Sequence, residues 1–172
     1  MKLVSTVALL LIGFTMNAQI SSWRTVNKKQ YSIQYPSTWT VDSSRQLGAD
    51  LLISAPIDSI SDRFKENIKI IIQNIAGKNV DMDRFVSVSE QQIKTVLPDC
   101  NFIESSTVTE APVTYHKMLF TCTQGQLPLE IEQFYFVTSE KAYVITFTAE
   151  QRRFSEYQPV AEKILQSFML KN

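Results

Sequence analysis

Glycine and histidine are scarce in this chain: four glycines and one histidine in 172 residues. A loop that cradles phosphate uses several glycines so that backbone amides can approach the ligand, and four in the whole chain leave little material for one. The single histidine, His116, removes the usual supply of bases near neutral pH and of neutral metal ligands. No Gly-x-Ser-x-Gly elbow and no His-Glu-x-x-His pair occurs. An excess of either charge is also missing, since 17 basic residues balance 17 acidic ones. Nucleic-acid binders that work electrostatically carry a basic excess on one face or run. Here Lys28-Lys29 and Arg152-Arg153 are only doublets, read as solvated surface pairs.

No apolar run reaches the roughly twenty residues of a membrane-spanning helix. The most hydrophobic segment, Leu3 to Phe14, follows Lys2 and precedes Thr15-Met16-Asn17-Ala18. That order of charge, short apolar core and small exit residue predicts a secretory signal peptide over residues 1–18, cut after Ala18, rather than a retained anchor. Residues 19–172 then form one domain of ordinary size, slightly acidic once Lys2 is gone. No cysteine stands near the cut for lipid attachment, so the mature chain is expected free of a membrane span, in the periplasm or secreted.

Cysteine occurs twice, at Cys100 and Cys122, without a Cys-x-x-Cys pair for redox chemistry. An even count in an oxidising compartment suggests a bridge. Residues 101–110 and 114–123 read as two strands turning near Ala111-Pro112, and folding the chain about position 111 sets Cys100 opposite Cys122. A structural disulfide is therefore expected, contributing about 3 kcal/mol by closing a loop of about 20 residues; two buried thiols are the alternative.

Period-two patterns mark further strands: Tyr31 to Tyr35, ended by Pro36; Leu51 to Ala55, ended by Pro56; and Ile68 to Gln73. The last is apolar on alternate residues and at Ile71 as well, so it reads as a central strand with both faces covered. Residues 57–66 lack a period and read as a surface loop. Met82, Phe85, Ser89, Ile93 and Val96 then recur at helical spacing, with Asp81 as N-cap and Pro98 as the stop. A meander follows: 101–110, 114–123, about 128–138, and Tyr143 to Thr148. Val160, Ile164, Leu165 and Phe168 make an amphipathic C-terminal helix, with Pro159 placed in its first turn. Strands flanked by two helices give an α+β class, an antiparallel sheet between helices.

Chemistry-bearing residues are thin. His116 shares strand parity with Met118, Phe120 and Cys122 and reads as a structural or surface histidine at the rim of an apolar face. Glu130 and Glu132 project two residues apart and could share a cation, but calcium asks for about six oxygens, so a solvated polar face is the reading. Asp58 with Asp62, and Asp81 with Asp83, make equally thin cases. No catalytic residue, metal site or cofactor is assigned.

The run Tyr31-Ser32-Ile33-Gln34-Tyr35-Pro36-Ser37-Thr38-Trp39, the helix ending near Pro98, the late meander and the final helix from Phe154 through Ile164-Leu165-Gln166-Ser167-Phe168 resemble the PsbP-like family, which includes DcrB-like envelope proteins. The resemblance implies an α/β/α sandwich and a binding or assembly role without a shared active site. A non-enzymatic extracytoplasmic protein is the expectation, its partner an envelope or secreted protein. Ile57, Ile60 and Phe64 in the 57–66 loop are candidate partner contacts, against the simpler reading that they tuck onto the core. The alternative is a carrier for a small apolar ligand, lipid or hydrophobic peptide segment, motivated by Phe134, Phe136, Tyr143, Ile145 and Phe147.

Overall fold

Alternating apolar residues build ten strands and two helices in the computed structural model, which describes residues 22–171 apart from 46, 47, 59–61, 63, 98, 111 and 112. Strands β1 (Trp23–Asn27), β2 (Tyr31–Pro36) and β10 (Met169–Leu170) form a small sheet in the order β1-β2-β10. The large sheet joins β3 (Thr40–Asp42), β4 (Leu51–Ser54), β5 (Asn67–Asn74), β6 (Asn101–Glu110), β7 (Val113–Gln124), β8 (Leu127–Val137) and β9 (Lys141–Glu150). Its seven strands run in the order β3-β4-β5-β9-β8-β7-β6. Every pairing is antiparallel. Helix α1 (Met82–Val96) packs on one face of this sheet; α2 (Phe154–Gln166) and the small sheet pack on the other. The class is α+β, with helices on both sides of an antiparallel sheet.

Each helix starts for a local reason. The Asp81 carboxylate accepts from the Arg84 amide at 2.9 Å, satisfying one of the first free N–H groups of α1. Helix α2 begins earlier than its spacing predicts, at Phe154, because Phe154 and Tyr157 extend the buried stripe of Ala161, Ile164 and Leu165 backwards. Pro159 consequently sits inside the helix rather than in its first turn, and costs one backbone hydrogen bond there. Burial of the stripe against β9 and β2 outweighs that loss.

The two faces are packed unequally. On the α2 side, Tyr31, Ile33, Ile68, Ile70, Phe134, Phe136, Ile145 and Phe147 join the helix stripe in one core. Phe168 closes it, its ring 5.2 Å from Tyr31, 4.9 Å from Phe136 and 6.0 Å from Tyr143 between centroids. On the α1 side, Phe85 and Val86 pack on Met118, Phe120, Leu129, Ile131 and Tyr135, beneath the helix alone. Strand β5 is central in the order, as expected, but only its Ile68 and Ile70 face is sealed. Lys69 and Ile71 on the reverse face remain half-buried, because no helix lies over them.

Strands β6 and β7 are paired with a register shift between Phe102 and Glu104. The bulge leaves Ile103 exposed and brings Asn101 opposite Thr121. Ala111, Pro112 and Pro98 lie outside the described residues, as do residues 1–18 of the expected signal peptide. No helix among the described residues is long and apolar enough to cross a membrane.

Removing the Phe168 ring takes away three aromatic contacts from a sealed core. Phe168→Ala should lower the unfolding free energy by about 3 to 5 kcal/mol in urea titration. The exposed Val88→Ala on α1 should stay within about 0.5 kcal/mol, and a similarly small effect at Phe168 would contradict the packing described.

Candidate functional site

A helix about 10 Å across covers roughly two strands spaced about 4.8 Å apart. Helix α1 lies over β8, and beside it the sheet surface of β9 and β5 is left as the floor of a groove of about 400 Å³. The wall is the C-terminal half of α1, through Ile93, Val96 and Leu97. Val96 is 75% exposed, the largest exposure among the large hydrophobic side chains described. Along the floor, apolar Ile71, Val144, Leu129 and Ile131 flank a polar row. Register sets Lys69 opposite Thr146, and Thr146 opposite Gln133.

Hydrogen bonds run one way along that row. The Tyr135 hydroxyl donates to Gln133 Oε1, and Gln133 Nε2 donates to Thr146 Oγ1 at 3.0 Å. Burial pushes the Tyr135 phenol well above the ordinary range, so it stays protonated and donating. Two further groups in the groove are occupied or inert. Ser89 Oγ donates to the Phe85 carbonyl at 2.8 Å, and burial raises the Cys122 thiol, disfavouring thiolate. Ammonium, amide, hydroxyl and phenol groups on an apolar floor are suited to holding a small molecule.

His116 is buried beneath the same face. Its Nε2 lies 3.0 Å from Ser105 Oγ and its Nδ1 3.0 Å from Thr107 Oγ1, and burial lowers its pKa. It is a structural histidine tying β7 to β6, as its parity indicated. Cys100 and Cys122 are free thiols in this structure, not bridged, and both belong to the α1-side core.

On the opposite face, Glu132 corrects the reading of a solvated pair. It is fully buried, and Lys117 Nζ lies 3.1 Å from its Oε1 and 3.3 Å from Glu104 Oε2. Desolvation raises the Glu132 carboxyl despite that cation. Arg153 is a second correction, since its side chain is only 15% exposed while Arg152 keeps 74%. It bonds Asp58, Asp62 at 3.0 Å and Glu156 at 3.1 Å, and stacks on the Tyr157 ring at 4.8 Å. Glu66 is fully buried 3.9 Å from the same guanidinium. Arg153 thereby fastens the 57–66 loop to α2. Ile57 stays 60% exposed, Phe64 packs on the α1-side core, and Ile60 is outside the described residues. Phe134, Phe136, Tyr143, Ile145 and Phe147 are sealed in the α2-side core. Asp81 is spent on its helix cap. Among the described residues no three His, Cys, Asp or Glu side chains are grouped to hold a metal.

The buried carboxylates give two expectations. Lys117→Met should cost about 3 to 5 kcal/mol by stranding Glu132, whereas Lys117→Met with Glu132→Leu should recover most of it in urea unfolding. Recovery by neither variant, or no loss in the first, would contradict the pairing. Burial raises the Glu66 carboxyl above its ordinary 4.5. Folded chains then hold this proton at pH values where unfolded chains have released it, so stability falls as pH climbs from the ordinary value through the raised one. The wild-type advantage over Glu66→Gln should shrink with rising pH across that window; a flat or growing difference would contradict it.

Comparison with known proteins matches this chain to the PsbP family model over residues 22–170. No curated protein sequence matches it. Among solved structures it is similar to cyanobacterial PsbP (CyanoP) from Synechocystis sp. PCC 6803, at 16% identity and TM-score 0.68, covering 93% of this chain and 99% of that one. It is also similar to LpqN, involved in cell envelope biogenesis of Mycobacterium tuberculosis, at 13% identity and TM-score 0.65, covering 88% and 91%. A protein of unknown function from Pseudomonas aeruginosa, a putative regulator by its description, shares the fold at 9% identity and TM-score 0.60, covering 87% and 98%. The family match spans both sheets, both helices and the groove between α1 and β5, and on it this chain belongs to the PsbP family.

Proposed function

We propose that this chain is a non-enzymatic binding protein working outside the cytoplasm, and that it recognises its ligand in the groove between α1 and strands β8, β9 and β5. One observation carries the reading: the groove has an apolar floor and wall, about 400 Å³ of space, and a short row of fixed polar groups. Pockets of about 300 to 1,000 Å³ with that composition are the usual form of small-molecule sites. PsbP family membership and the fold shared with LpqN support an extracytoplasmic role. The Leu3 to Phe14 run behind Lys2 supports export with removal of residues 1–18, leaving 19–172 as the working domain.

The exported setting also favours a bridge between Cys100 and Cys122. Each thiol would lose one hydrogen as a disulfide-bearing oxidant is reduced to its dithiol, and the presence of both cysteines at the α1-side core supports the pairing. Partner contacts at Ile57, Ile60 and Phe64 have weaker support, since Phe64 packs on the α1-side core, Ile57 is exposed and Ile60 is outside the described residues.

Recovery of the protein from the envelope and medium of its own cell tests the whole reading. N-terminal sequencing should begin at Gln19, thiol titration of the denatured unreduced chain should find no free thiol, and native mass spectrometry should show a small molecule released on unfolding. A cytoplasmic chain starting at Met1, with two free thiols and no bound molecule, would contradict it.

A further inference from the structure

The polar row in the groove specifies more than a place to bind. Thr146 is 7% exposed, and its Oγ1 accepts from Gln133 Nε2 at 3.0 Å. Its hydroxyl proton has no acceptor among the described residues, and an unused donor on a buried group costs free energy unless something takes it. Directly opposite on β5 stands Lys69, half-buried, with no ion pair among the described residues. It is the sole charged side chain lining the groove. The nearest acid along the same row is Asp42, beyond Leu52 on β3, and its Oδ1 accepts from the Ser44 amide. An ammonium and a hydroxyl proton therefore stand on paired strands along one groove, with no acid among the described residues that line it. The Tyr135 to Gln133 to Thr146 chain orients the hydroxyl so that it donates outward.

From that row the floor turns apolar, over Ile131 and Leu129 and beneath Val96 and Leu97. A ligand that answers both features has one negative end and an unbranched apolar body.

Resting on the reading of the groove as the binding surface, we propose that it takes a small amphiphilic carboxylate. The carboxylate oxygens accept from Lys69 Nζ and the Thr146 hydroxyl, and the alkyl body lies between α1 and β8. A carboxylate meets two donors with two acceptors and forms a charge-assisted bond with the ammonium. An amine of the same length would set cation against cation, and an alcohol would leave Lys69 unpaired.

Calorimetric titration of the full chain with decanoate and with decylammonium, each below its micelle concentration, tests this. Decanoate should bind and decylammonium should not. Lys69→Met and Thr146→Val should each weaken decanoate by about tenfold or more, the worth of a charged or buried hydrogen bond. Thermal melts confirm that both variants fold. Val96→Trp, at an exposed wall position, should fill the groove and abolish binding without unfolding the chain. Equal binding of the two amphiphiles, or indifference to Lys69→Met, with loss in Val96→Trp, would overturn the carboxylate assignment and leave the groove standing. Failure of both amphiphiles to bind, or binding untouched by Val96→Trp, would overturn the groove as well. Binding of an apolar peptide with no decanoate binding would point to a protein partner and likewise overturn the proposal.

Discussion

Coverage of a wide sheet is the constraint on which this structure depends. Seven strands at about 4.8 Å spacing make a surface roughly 29 Å across, and one face is sealed by α2 together with a separate small sheet. The other face has α1 alone, a 15-residue helix that spans roughly a third of that width. The unsealed strip over β9 and β5 is therefore a consequence of the element count. Lys69, Ile71 and Thr148 are half-buried there, and with the buried Thr146 they replace the continuous apolar rows found on the sealed side.

Charge follows the same division. The α2 side contains the buried acids Glu132 and Glu66, and each is met by a cation, Lys117 or Arg153. Burial of such acids is costly, and the cations offset that cost and fix the register of what they join. Arg153 joins the 57–66 loop to α2; Lys117 joins β6 to β8 across β7. On the α1 side the one charged residue in the groove, Lys69, has no such counterpart among the described residues. A fold that answers its buried charges on one side and leaves one unanswered on the other directs attention to the second as the place where a ligand completes the structure.

Much of the architecture was legible because it rests on local patterns. The meander from Asn101 to Glu150 follows period-two alternation, and Asp81 marks the start of α1 by the cap it forms. Elements that depend on distant partners were not legible. Strand β10 has two residues and exists because β2 lies beside it, more than a hundred residues earlier in the chain. The Arg152-Arg153 doublet reads as solvated until Asp58 and Asp62 arrive from the far end of the domain. Strand β5 misled for a subtler reason: Ile71 fills the reverse face with an apolar residue that suggests a cover, and no helix among the described residues lies over it. The groove's signal in the sequence was Lys69 beside that isoleucine, a combination that only the missing helix explains.

The central claim is that α1 leaves β9 and β5 open and that a ligand occupies the space. A crystal structure of the protein taken from its own cells, without detergent or delipidation, tests it most directly. The account predicts α1 over β8, with elongated density between Val96 and the β5–β9 floor ending at Lys69 and Thr146. Helix α1 displaced across β9 to close the floor, or Lys69 turned to pair with an acid of the same chain, would contradict it.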